Sequence, residues 1–181
     1  MLKFVLAIVV IAIVALLGYA AIKPDSFRVQ RSAVIKAPPE KIYALIQDFK
    51  QWGAWSPYEK RDPAMHRIYG DITTGKGATY AWDGNRNVGK GHMEITETVP
   101  PSATGAGKIL IKLDFEKPIE GHNIAEFTVE PQSGDTTAVT WAMVGPSPYV
   151  AKLMGLFFSM DTMIGNDFEA GLANLKTASE Q

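Results

Sequence analysis

Residues Thr137–Ala178 read TAVTWAMVGPSPYVAKLMGLFFSMDTMIGNDFEAGLANLKTA, and the spacing of the apolar residues changes partway along. Over 137–144, Val139, Trp141 and Met143 share one face opposite Thr140, the period-two pattern of a half-buried strand. From Ser147 onward, Val150, Leu153, Phe157, Met160, Ile164, Phe168, Leu172 and Leu175 recur at spacings of three or four. That spacing predicts one long helix reaching about Ala178. A strand that hands over to an amphipathic helix implies an α+β domain. Its antiparallel sheet has one apolar face, and the helix covers that face.

Upstream, the same alternation marks candidate strands at 65–71, 77–83, 91–98, 108–116 and 122–130. Gly75-Lys76-Gly77, Asp83-Gly84, Pro100-Pro101, Gly121 and Gly134-Asp135 punctuate them as turns. Phe27–Ile35 (FRVQRSAVI) is a further strand, and Pro38-Pro39-Glu40 then opens a helix carrying Ile42, Leu45, Ile46 and Phe49. Trp52-Gly53-Ala54-Trp55-Ser56-Pro57 forms a second short helix or turn. The order is strand, two short helices, six strands, one long helix.

The N-terminus is different. Phe4–Ile22 is a run of nineteen residues without a charge, closed by Lys23-Pro24-Asp25. As a helix it extends roughly 29 Å, close to the ~30 Å hydrocarbon thickness of a bilayer. The cores of secretory signals are usually only ~7–15 residues, so residues 1–23 read as a retained single-pass anchor. Gly18, Ala20 and Ala21 leave a cleaved signal as the alternative. Residues 24–181 form the folded domain, and lysines and arginines on both flanks leave its side of the membrane open.

Composition removes several functions. The chain of 181 residues has a net charge of −1, which does not suit a nucleic-acid binder working by counterion release. It has no cysteine, so disulfides, thiolate metal sites and cysteine nucleophiles are excluded. His66, His92 and His122 are too widely spaced for a known metal motif. No metal and no cofactor is expected. Neither a G-x-S-x-G elbow nor a Walker loop occurs.

The alternation also selects an inner wall: Tyr80, Trp82, Met93, Phe115, Phe127, Trp141 and Met143 from the strands, and Met154, Phe157 and Phe158 from the helix. This set is almost wholly apolar, which suits a hydrophobic ligand more than acid–base chemistry. The same residues equally describe a filled core. Asp161, Arg31 and His66 are polar exceptions on inward-facing registers. Each either has a structural partner or touches a ligand.

Several blocks together resemble the polyketide cyclase/dehydrase branch of the START-like (SRPBCC) helix-grip superfamily. They are Arg31-Ser32 with Ile35, Ala37-Pro38-Pro39-Glu40, the WGAWSP segment, and Gly77-Ala78 followed by Tyr80-Ala81-Trp82 and Gly84. Gly89-Lys90-Gly91-His92-Met93-Glu94-Ile95, Gly165-Asn166-Asp167-Phe168-Glu169, Gly171-Leu172 and Leu175-Lys176 complete the set. The resemblance implies a seven-stranded curved antiparallel sheet around a long C-terminal helix, with a hydrophobic tunnel between them. It implies binding of a lipid, quinone or polyketide-like molecule, and it transfers no catalytic residue. The combined expectation is membrane-anchored binding without chemistry, with residues 4–22 as the membrane contact. The alternatives are a cyclase or lyase using Asp161, His66 or Tyr80, and a protein-interaction module whose groove is filled.

Overall fold

The computed structural model describes residues 1–181. Helix α1 (Leu2–Ala21) leads into β1 (Ser26–Ile35). Three short helices follow: α2 (Pro39–Gln47), α3 (Trp52–Trp55) and α4 (Pro57–Arg61). Then come β2 (His66–Tyr69), β3 (Thr79–Asp83), β4 (Lys90–Val99), β5 (Gly107–Lys117), β6 (Gly121–Gln132) and β7 (Thr136–Pro146). The chain closes with α5 (Tyr149–Met154) and α6 (Met160–Ser179).

The strands form one antiparallel sheet in the order β1-β7-β6-β5-β4-β3-β2, so β2 to β7 is a meander and β1 joins at its far side. The expected strand set is therefore present. Register places Phe127 opposite Trp141 and Ile109 opposite Phe127, which puts the alternating apolar residues on one face. A bulge between Ile95 and Glu97 ends the inward alternation of β4, bending the sheet where it curls. The outer edge of β1 runs beside α6: Lys176 donates to the Val34 carbonyl, and the Lys36 amide just past the strand donates to Glu180.

Two indoles explain the WGAWSP segment. The Trp52 and Trp55 ring N–H groups donate to the carbonyls of Ile46 (2.9 Å) and Leu45 (3.1 Å) in the last turn of α2. Carbonyls there have no partner within their own helix, so the tryptophans cap α2 while their rings enter the core. Trp55 is fully buried against Phe127 and Trp141, and Trp141 stacks on Phe168 at 4.1 Å.

The single long helix expected from Ser147 is instead two helices. Gly155 ends α5, and Ser159 starts α6 by accepting the Thr162 amide on its side chain. Only Ile164, Phe168, Leu172 and Leu175 of the expected stripe pack on the sheet. Val150, Phe157 and Met160 continue the spacing but face outward.

Candidate functional site

Between the sheet and α6, where a tunnel was expected, the space is filled. Tyr80, Trp82, Met93, Phe127, Trp141 and Met143 are all buried as their alternation required, with Phe115 packed against them. Phe115, Trp82, Tyr80, Phe49, Trp52, Phe127 and Trp141 occupy the interior as a continuous aromatic chain, with Trp55 packed against Phe127. Helix α3 supplies the rings that plug it. Tyr80 and Met93 also border a groove of about 170 Å³ beside the outer strand β2, with Ile68 and Tyr69.

The larger cavity, about 440 Å³, lies elsewhere. It opens where the α1–β1 connection (Lys23, Pro24), the start of β1 (Ser26, Phe27), Ser147 and the α5–α6 segment meet. Ala151, Lys152, Leu156, Phe157, Phe158, Ser159 and Met160 complete its wall. Of the candidates chosen from sequence, Phe157 and Phe158 line this cavity. They stand at its rim, 70% and 62% exposed, and not on the inner wall where the helical spacing put them. Met154 is likewise exposed on α5, because the break at Gly155 turns its face away from the sheet.

The polar candidates do not converge. Asp161 accepts both Nη groups of Arg31 at 3.0 Å, and Glu169 accepts Arg31 Nε at 2.6 Å, so the Arg31 exception is a structural tie between β1 and α6. Gly165 leaves the space through which Arg31 reaches them. The Arg31 guanidinium holds the Asp161 carboxyl below the usual range. His66 lies exposed on β2, the sheet edge opposite β1, six strand spacings of about 4.8 Å away along the sheet. The Tyr80 hydroxyl donates to Glu59 at 2.6 Å, and Glu59 also receives Arg67 at 2.6 Å. Burial first, and then the Glu59 carboxylate, push the Tyr80 phenol well above its ordinary range, so it stays a proton donor to Glu59.

Sequence reading missed Lys152. Its side chain is only 7% exposed, and its amine meets Asp25 Oδ1 at 2.6 Å. The signal was available, since Lys152 is the sole charge in YVAKLMGLFFSM, residues 149–160. Phe27 and Leu156 were missed because the cavity joins segments far apart in sequence.

Helix α1 rests on this corner. The Tyr149 hydroxyl donates to the Leu17 carbonyl at 3.0 Å, and α5 packs beside the end of α1. Helix α1 is long and apolar enough to cross a membrane, and Ala20 is its only buried residue.

The family model described as polyketide cyclase / dehydrase and lipid transport matches residues 26–180. The chain belongs to this family. Solved structures agree on the fold. A hypothetical protein from Helicobacter pylori is 16% identical with a TM-score of 0.63, the match covering 84% of this chain and 88% of that one. A protein from Chromobacterium violaceum is 16% identical with a TM-score of 0.57, covering 88% and 99%. Truncated norcoclaurine synthase from Thalictrum flavum is 10% identical with a TM-score of 0.55, covering 86% and 95%. Among proteins of curated function, none matches the sequence. Membership of the polyketide cyclase / dehydrase and lipid transport family supports a role in binding a hydrophobic ligand.

Proposed function

We propose that the protein is a membrane-anchored binding domain that holds a hydrophobic small molecule in the 440 Å³ cavity without transforming it. The observation that carries this reading is the cavity's position against the foot of α1. With α1 in the bilayer, the contact at Leu17 brings α5 alongside the last turn of the anchor, about 6 Å from its end. That is the depth at which interfacial helices rest. Tyr149, Val150, Met154, Phe157, Phe158 and Met160 are all exposed around this corner. An apolar patch of this kind is costly in water and favourable at the acyl boundary. The ligand then reaches the cavity from the membrane without crossing water.

The lining supports binding without chemistry. The titratable side chains of the cavity wall are Lys23 and Lys152, and the one carboxylate beside them, Asp25, is held in an ion pair with Lys152 at 2.6 Å. Native mass spectrometry of the full chain released from lipid nanodiscs tests the reading. The expected result is a stoichiometric apolar adduct on the wild type, absent from Ala151→Trp, which fills the cavity. A wild-type protein that carries no adduct, and takes up none from added lipid extract, would overturn it.

A further inference from the structure

We propose that the ligand of this cavity is an amphiphile with an anionic head, whose charge Lys152 receives while its chain lies against Phe27, Leu156 and Phe157. The proposal rests on the cavity being the ligand site and adds the class of ligand.

Lysine is rarely buried, and a buried amine needs an anion beside it. Lys152 is 7% exposed and its anion is Asp25, whose side chain is 98% exposed. The two partners therefore have unequal stakes. Asp25 loses little on swinging into water, whereas the covered amine stays in place and needs another anion beside it. Only the Asp25 side chain needs to move, because its backbone carbonyl is fixed by the Ser147 amide at 2.7 Å. Asp25 acts as a resident counterion that an incoming carboxylate or phosphate replaces.

Three further features of the wall favour an anion. Lys23 contributes a second cation, and the carboxylate at this wall is the displaceable Asp25 on Lys152. Ser26 and Ser147 add hydroxyl donors close to Lys152 in the chain's fold. The twenty-residue helix α6 begins at Ser159 and Met160 on the same wall, so the positive end of its dipole faces this region. The apolar side chains at the rim accept the tail, and the charged end sits deeper at Lys152.

The test uses the full chain in phosphatidylcholine nanodiscs with matched photoreactive probes. These are a diazirine fatty acid, the fatty alcohol of the same chain, and a phosphatidylglycerol carrying the same acyl chain. Labelling is located by peptide mass spectrometry. The acid or the anionic phospholipid is expected to label residues 151–160 at least about tenfold more than the alcohol, the worth of one charge-assisted hydrogen bond. Labelling by the free acid alone identifies a carboxylate ligand, and labelling by the phospholipid identifies a phosphate head. Lys152→Met is expected to abolish the preference, and Asp25→Asn, a change at an exposed side chain, to strengthen acid labelling. Labelling by neither anionic probe above the alcohol, or no effect of Asp25→Asn on anionic-probe labelling, overturns the anion proposal while leaving the cavity as a binding site. If no probe labels 151–160 in the wild type, the cavity reading itself falls.

Discussion

The two ends of α6 lie in contrasting surroundings. Its second half, with Phe168, Leu172 and Leu175, seals an aromatic interior in which Trp141 is stacked between Phe127 and Phe168. Its first turn, with Ser159 and Met160, borders an open cavity rimmed by exposed phenylalanines. One helix thus closes the grip at one end and leaves it open at the other. The difference separates a packed end of the grip from an open one.

The largest test of that contrast is Phe127→Ala, which removes a fully buried ring. It is expected to cost about 3–5 kcal/mol in urea titrations of the full chain in detergent micelles. Phe157→Ala, at the exposed rim, is expected to stay within about 0.5 kcal/mol of wild type. Comparable losses from the two would erase the distinction.

Gly171→Ala probes how tightly the sealed end is packed. A Cβ at Gly171 would lie 2.6 Å from the Trp141 ring and 3.1 Å from Pro57. Trp141 is stacked on both faces and has nowhere to move. Overpacking of about 1–3 kcal/mol should therefore exceed the ~1 kcal/mol that alanine contributes to a helix. The expected outcome is a net loss of about 1 kcal/mol in the same titration. A gain in stability would mean that the interior has slack.

The smallest effect is one of pH. Because Arg31 depresses the Asp161 carboxyl in the folded protein, its contribution is present above the unfolded value of about 3.9 and is lost as pH falls through the folded value. Asp161 lies in the first turn of α6. Acidification below about pH 4 is expected to lower the hydrogen-exchange protection of the amides at 163–166, relative to the intrinsic rate at each pH, before that of 171–176. Simultaneous loss of protection along α6 would show that the two ends do not respond separately.

Much of the fold was legible because strand alternation is local. Lys108 to Glu116 already sorts Ile109, Ile111, Leu113 and Phe115 from their charged neighbours, and β5 spans Gly107–Lys117. The split between α5 and α6 was not legible. Phe157 and Met160 keep a helical spacing although they point away from the sheet, and spacing counts apolar residues whatever they face. Whether the interior was hollow also lay beyond alternation, because Trp52 and Trp55 fill it from a separate segment. The cavity needed the fold itself, since Lys23, Phe27, Ser147 and Leu156 meet only in three dimensions.

The connection from α1 to the domain has a mechanical consequence. Only residues 22–25 separate the helix from β1, a reach of at most about 14 Å, and the Tyr149–Leu17 contact takes up the remaining slack. With α1 seated in a bilayer, as proposed, a domain mounted this closely would have no swing with which to ferry cargo between membranes. It would work as a fixed berth, its occupant arriving and departing through the same lipid surface or being collected by a partner that comes to it.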